Sequence, residues 1–342
     1  MQFISAPVSG WFFDLHRACR VTLGMLLLLV LPGTSGVANA ATPNDYPARP
    51  VRLISPFAPG GGNDLISRTL GQEMSKNLGQ PVVVDNRPGA NAIIGMQIVA
   101  TAPADGYTLI MTSSTQAINA TLYPDLPYDS IKDFAPVSLI ASSPMIVAVY
   151  PALAVNNVQE LISLAKAKPR QILYPSAGTW NATHLAGELF SVMAGVTLVH
   201  VPYKGAAPGM SDLIAGRLQV VFATAPSAMA LIKAGRLRAI AITSTARSAV
   251  MPDLPTVAES GVPGYEASTW YGLLAPARTP RSIVMRLNAE TKKALAAAEV
   301  RERFAAAGAD PVGNSPDQFA AYVRTESAKW AKVIKLSGIK SE

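Results

Sequence analysis

Short β-branched runs alternate with stretches of helical period along most of the chain, and this alternation limits the folds open to it more than any other feature. Val51–Phe57 (VRLISPF) reads as a strand, and Asn63–Leu78 as a helix whose Leu65, Ile66, Leu70, Met74 and Leu78 share a side. Strands follow at Pro81–Arg87 and Tyr107–Ser113, with a helix around Ile93–Val99 between them. The rhythm restarts at Met145–Pro151. Helices at Val158–Lys168, Ala182–Met193, Pro208–Leu213 and Pro226–Lys233 then alternate with strands at Gln171–Ser176, Val196–Tyr203, Leu218–Thr224 and Leu237–Thr243. Ser244–Tyr265 is rich in Pro, Gly and Ser and predicts little regular structure. Trp270–Ala277 is a last strand, and Arg281–Ala297, Val300–Ala307 and Pro316–Leu336 close the chain as helices.

Continuous apolar strands between helices predict an α/β fold of two lobes, each a mainly parallel sheet covered by helices on both faces. A chain that ends on helices after one strand predicts a return to the first lobe. The expected division is residues 41–147 with 273–342 as one lobe and 148–272 as the other, joined by crossings near Met145–Pro151 and Trp270–Ala277, with the ligand cleft between the lobes.

Residues 1–40 stand apart. His16, Arg17 and Arg20 precede the apolar run Val21–Leu31, which is too short to span a bilayer, and the small residues Val37–Ala40 follow. This predicts a signal peptide cleaved near Ala40 and export to the periplasm. Cleavage removes Cys19, the chain's one cysteine, so the mature protein must be held by core packing without disulfides. Losing Asp14, Arg17 and Arg20 takes the formal charge from +7 to about +6. Its basic residues are scattered rather than clustered, which argues against a nucleic-acid partner.

Ligands of open α/β sheets bind beyond the carboxyl ends of strands, where loops feed helix N-termini. In this chain those positions are Pro56–Asp64, Thr112–Gln116, Ser176–His184, Tyr203–Pro208 and Ala223–Ser227. They are rich in Gly, Ser, Thr, Asn and Gln and nearly free of charge, a composition suited to holding a small anion by backbone N–H groups and hydroxyls. The same residues also cap helices in any α/β protein. The first loop goes further than capping needs. Gly60–Gly62 lack a Cβ and so let backbone amides approach an anion at the start of the following helix. Asp64 is expected to steady that helix start and its loop, Arg68 to form a surface ion pair, and Lys204 either to attract an anion or to be solvated.

Catalytic signatures are sparse. Gly60–Gly62 lead into Asn63 and Asp64, with no lysine as a phosphate-binding P-loop requires, and their spacing fails the dinucleotide fingerprint. No G-x-S-x-G elbow is present. His184 and Glu188 stand four apart on a helix, as metal ligands do, but no third ligand has a clear place. His200, in a strand, reads as structural.

The motifs "YPARPVRLISPFAPGGGNDLISR", "LGQPVVVDNRPGA", "PADGYTL", "VHVPYKGAAP", "AGRLRAIAITS" and "LPTVAESGVPGYEASTW" occur in one order over essentially the whole mature chain. In them the chain resembles the Bug family of periplasmic solute receptors, the substrate-binding partners of tripartite tricarboxylate transporters. The resemblance implies a type II-like binding protein that closes on a carboxylated metabolite and presents it to membrane permease subunits. It implies no catalytic residue, metal or cofactor, and the chain is expected to be a monomer. It also implies that loop backbone, hydroxyls and bridging waters hold the ligand carboxylate. Carried onto this chain, the first loop contributes Phe57, Ala58, Gly61, Gly62 and Asp64. The facing side contributes Ser176, Gly178, Thr179, Thr183 and His184, with Ser114 and Gln116 added and Thr224 from the Ala223–Ser227 loop.

Two positions depart from the family pattern: Trp180 where glycine is frequent, and Ala223–Thr224 where Asp–Asn is frequent. Loss of an acid removes a partner for a ligand ammonium. Trp180 either stacks on an apolar ligand body or packs against the protein surface. The expected ligand is a carboxylate without an amino group, aromatic or of medium chain length. The rivals are a ligand-presenting subunit of a signalling receptor and a periplasmic hydrolase using Asp64 or His184.

Overall fold

The computed structural model describes residues 46–248 and 251–337, so the expected leader, residues 1–40, lies outside the described residues. Strand β1 (Val51–Ser55) leads into helix α1 (Gly62–Leu78), followed by β2 (Val82–Asn86), α2 (Ile93–Ala100), β3 (Thr108–Ser113) and α3 (Thr115–Leu122). The long β4 (Phe134–Val149) comes next, then α4 (Val158–Ala167), β5 (Leu173–Ser176), α5 (Ala182–Ala194), β6 (Val199–Pro202), α6 (Ala206–Ile214), β7 (Val220–Thr224), α7 (Ala225–Lys233) and β8 (Arg238–Ile242). After β9 (Ser268–Pro276) the chain closes with α8 (Arg281–Ala296), α9 (Ala298–Ala306), the two-residue β10 (Asp310–Pro311) and α10 (Pro316–Ser337).

Local chemistry sets these limits. Helix α1 buries Ile66, Leu70, Met74 and Leu78 at four-residue intervals and stops where Gly79 turns left-handed (φ 67°), its N–H bonding to Ser75 O. In α5, Asn181 caps the first turn, its side chain accepting from the N–H groups of Thr183 and His184, and Gly195 (φ 63°) ends the helix. The Pro/Gly/Ser-rich stretch between β8 and β9 forms only isolated bridges, as expected.

The main sheet runs β10-β4-β9-β3-β1-β2, and β7 and β8 both pair with the far part of β4. Residues Phe134–Pro144 of β4 lie against β9, whereas Met145–Val149 are flanked by β7 and β8. The expectation of mainly parallel sheets is corrected here. β2 and β3 run parallel to β1, and β5 runs parallel to β6, but every strand paired with β4 is antiparallel to it, and β9 is antiparallel to β3. Apolar continuity reports burial on both faces, not direction; direction follows from the connections, and β9 enters from β8 with no helix between them and runs against both β3 and β4.

Three elements escaped the sequence reading: the first half of β4, helix α3 and the two-residue β10. The first half of β4 contains Pro136, which argues against a strand, yet Pro136 sits at a register shift where no ladder N–H is needed. Helix α3 reads as a Ser/Thr-rich loop, but Ile118 and Leu122 are buried within a core that also takes in Phe319, Val323 and Trp330 of α10. That core continues through Trp270 of β9, whose indole N–H donates to the buried Glu326.

Thr243, fully buried, pins the point where β4 passes from one set of neighbours to the other. Its hydroxyl accepts from Met145 N (2.8 Å) and donates to Ala267 O (2.6 Å), tying β4 to the chain leaving β8 and the chain entering β9. Thr243→Val keeps the shape but leaves a buried donor and a buried acceptor unpaired. It is expected to lower unfolding stability by about 1–3 kcal/mol in urea titrations with an unchanged m-value. An unchanged midpoint would assign the pinning to packing alone.

Candidate functional site

The β1–α1 turn is held rigidly from behind. Asp64, 5% exposed, accepts from Gly60 N (3.0 Å), pairs with Arg68 (3.0 Å) and accepts from Asn86 Nδ2 (2.9 Å), while the same Asn86 amide reaches Phe57 O (3.1 Å). Burial raises the Asp64 pKa, but the hydrogen bonds from Arg68, Gly60 and Asn86 outweigh it and hold the carboxyl below its ordinary value. Asp64 is therefore a brace for the loop, and its charge is spent on Arg68. The glycines serve close approach. A Cβ on Gly62 would stand 2.7 Å from Thr224 Oγ1, 2.8 Å from Tyr271 Oη and 3.0 Å from Ser227 Oγ. Gly62 N donates to Ser227 Oγ (2.9 Å), which also bonds Thr224 Oγ1 (2.7 Å). Two of the three glycine amides are thus already engaged, Gly60 by Asp64 and Gly62 by Ser227.

Opposite this turn, the β5–α5 loop is built on an imidazole stack. His184 and His200 lie with ring centroids 3.7 Å apart, and Ser176 Oγ meets His200 Nε2 at 2.6 Å. His184 Nδ1 accepts from Trp180 N (2.9 Å), which leaves the proton of the neutral ring on Nε2, 3.6 Å from Glu188. Glu188 instead takes a hydrogen bond from Tyr174 Oη (2.6 Å). Burial pushes His184 down to about 3, helped by the neighbouring His200, and burial alone pushes His200 down to about 4. No group of three or more His, Cys, Asp or Glu residues that could hold a metal exists among the described residues.

Between these two loops lies a small inner cavity of about 50 Å³, room for one polar end of a ligand. Five helices begin on its wall: Gly62 and Asn63 open α1, Thr115 opens α3, Ala182 and Thr183 open α5, Ala206 opens α6, and Thr224 and Ser227 flank the start of α7. The rest of the wall includes Phe57, Gly61, Ser113, Asn181, Thr269 and Tyr271, and no charged side chain among the described residues lines it. Burial raises the Tyr271 hydroxyl to about 12 against a smaller lowering contact with Thr224. An outer cavity, lined by residues including Gly89–Ala92, Gly178, Thr179 and Lys204, abuts the inner one at Phe57 and Ala177.

Of the residues expected at the site, Phe57, Gly61, Gly62, Thr183 and Thr224 face the inner cavity, and Gly178 and Thr179 the outer. Ala58, Asp64, Ser114, Ser176, Trp180 and His184 line neither. Ser114 is fully buried against Thr269 (2.9 Å). Ala58 donates its N–H to Lys204 O (3.1 Å), closing the two loops onto each other. Gln116 donates to Ser130 O (2.6 Å) and lines a separate cavity. Trp180, left-handed at φ 63°, packs against the His184 ring at 4.7 Å and against the core, so surface packing rather than stacking in the cavity describes its indole. Ser113, Thr115 and Ser227 sit in strand-end loops that the sequence singles out; Thr269 and Tyr271 arrive from β9 and had no local signal.

Residues 66–339 match the family described as "Tripartite tricarboxylate transporter family receptor". The chain belongs to this family. It is 37% identical to Protein BugT of Bordetella pertussis, over 93% of this chain and 99% of BugT. Its fold superposes on the structure of the periplasmic binding protein BugD with a TM-score of 0.84 at 34% identity, covering 87% of this chain and all of BugD. R. palustris Rpa4515 with adipate superposes equally well (TM-score 0.84, 38% identity, 86% of this chain and 99% of that one). The family is one of solute-binding receptors, not enzymes, and the periplasmic binding protein fold is confirmed.

The histidine stack gives this receptor an acid sensitivity. Both rings are neutral when folded, and in the unfolded chain they titrate near about 6.5. Between that value and the folded values of about 4 and about 3, the unfolded state binds more protons, so stability falls as pH falls through this window. The melting temperature is expected to drop between pH 6.5 and pH 4.5, and the drop should flatten in a His184→Gln/His200→Gln double variant measured by differential scanning calorimetry.

Proposed function

We propose that this chain captures a small organic carboxylate in the periplasm and delivers it to the membrane subunits of a tripartite transporter. One observation carries the reading: five helix N-termini converge on a cavity without a charged side chain. Each N-terminus presents the positive end of its dipole, so an anion is favoured there without a formal cation, although Asn181 already caps the Thr183 and His184 amides of α5. The amides of Asn63 and Asp64 meet no acceptor among the described residues, which keeps the start of α1 available. The hydroxyls of Tyr271, Thr224, Ser227, Thr115 and Thr183 add neutral donors around it. With no acid on the wall to pair with an ammonium, a carboxylate without an amino group fits better than an amino acid. The adipate held by Rpa4515 supports the same class.

In this reading residues 41–147 with 273–342 and residues 148–272 act as two lobes that close on the ligand, as population shift toward a closed state requires. The adjacent β4 and β9, with their change of partners near Met145, support a hinge there. Export with cleavage near Ala40 and action as a monomer complete the proposal.

The test is a thermal-shift and calorimetric screen of mono- and dicarboxylates on mature protein stripped of ligand by denaturation and refolding. At a concentration one hundred times Kd, a bound acid stabilises the fold by about 2.7 kcal/mol, a shift of several degrees. Gly62→Ala places a methyl among three hydroxyls and is expected to weaken that binding about 5- to 150-fold, because overpacking a fitted site costs about 1–3 kcal/mol. If no carboxylate shifts the melting point, or if Gly62→Ala binds as well as the wild type, the assignment of this cavity fails.

A further inference from the structure

The outer cavity is the larger of the two, about 310 Å³, and its wall is neutral except at one point. Lys204, in the turn between β6 and α6, is the one charged side chain among the described residues that lines either cavity. Its main chain is fixed. Lys204 O accepts from Ala58 N (3.1 Å), and the next residue, Gly205 (φ 131°), lies so close that a Cβ there would stand 2.8 Å from the same nitrogen. Its ammonium is free: the side chain is exposed and forms no ion pair or hydrogen bond among the described residues. The acid nearest to it in sequence, Asp212, is already engaged by the Tyr203 hydroxyl (2.6 Å) and by Arg217 (2.6 Å). On the same cavity wall Gly89–Ala92 lead into α2, so the positive end of that helix dipole adds to the lysine's charge rather than offsetting it. A cation anchored by its backbone, beside a helix start and with no acid on the wall, sets up a local field that favours an anion.

We propose that Lys204 is a specificity-determining residue: it pairs with a second carboxylate at the far end of the ligand, and the outer cavity holds the ligand body between the two charges. The proposal rests on the carboxylate reading of the inner cavity and extends it. With about 50 Å³ the inner cavity takes one polar end only, and the two cavities abut at Phe57 and Ala177, so the rest of an anchored ligand passes Phe57 into the outer space. The charges there select what its far end carries. An ammonium is repelled by Lys204 and by the start of α2 and finds no acid on the wall. A neutral end gains nothing from either charge. A second carboxylate gains from both, and the cavity walls shield its pair with Lys204 from water, which makes that pair stronger than one on an open surface. Lys204 thus tells a dianion from a monoanion of the same shape.

The experiment compares Kd by calorimetry, at pH 7 and low salt, for α,ω-dicarboxylates of four, six and eight carbons and for their monoamides, which keep the shape and lose the second charge. At the best-fitting length the wild type is expected to bind the diacid about tenfold more tightly than its monoamide, the effect of one hydrogen bond between charged groups. Lys204→Met removes the charge from an exposed side chain, and the ratio should fall below about threefold. A lysine with a merely structural role would shift both ligands together and leave the ratio unmoved. A crystal structure of the wild type with the best diacid needs no variant and must place the distal carboxylate within hydrogen-bond reach of Lys204 Nζ. Equal affinity of diacid and monoamide, an unchanged ratio in Lys204→Met, or a distal carboxylate bound away from Lys204 would each overturn this proposal alone. Failure of every diacid and monoamide to bind would overturn the carboxylate reading along with it.

Discussion

At Gly62 the backbone passes so close to three hydroxyls, from Thr224, Ser227 and Tyr271, that no side chain fits between them. Much of the cavity's geometry depends on this contact. It joins the first turn of α1 to the first turn of α7 and to β9, elements separated by more than a hundred residues in sequence, through a bond from Gly62 N to Ser227 Oγ. The Asp64 brace fixes the same turn from behind, and the Ala58–Lys204 backbone bond sets its distance from the start of α6. Glycine is required at position 62 for lack of space, not for a left-handed φ. Gly60, by contrast, does adopt one (φ 81°).

Convergent helix starts create a positive potential that no single residue supplies. One N-terminus contributes about 0.3–1 kcal/mol toward an anion at an exposed site and up to about 2 kcal/mol when partly buried. Five around one cavity reach several kcal/mol, comparable with a buried cation but without the desolvation that a lysine or arginine would suffer there. Neutral walls also spare the site a pH dependence of its own near neutrality. The titrating groups stand one layer back, where the His184–His200 stack shapes the second loop while remaining uncharged.

Much of the fold was legible because the helical and strand periods are regular: α1, α4, α5, α8 and α10 fall where periodicity places them. Direction and pairing were not. Nothing in the run Met145–Val149 says that it continues a strand begun at Phe134, or that β9 lies antiparallel to it, since both facts depend on partners far away in sequence. At the site, strand-end loops rich in small polar residues marked the segments, and the family resemblance selected Phe57, Gly61, Gly62, Thr183 and Thr224 within them. The same reasoning also gathered Ser114, Gln116, Ser176, Trp180 and His184, which sit in those loops but turn into the protein. A loop's composition shows what it can offer, and only packing shows which way each side chain faces.

The sequence by itself determined the α/β class, the order of most elements and the neutral, glycine- and hydroxyl-rich chemistry of the loops, because each of these is written in local period and composition, while its ordered motifs carried the resemblance to the family. Tertiary structure alone decided that five of those loops open on one cavity, that Tyr271 joins them from β9, and that Lys204 lines the outer cavity beside the start of α2. These outcomes depend on close approach between residues distant in the chain, and the distances are fixed only when the core has packed.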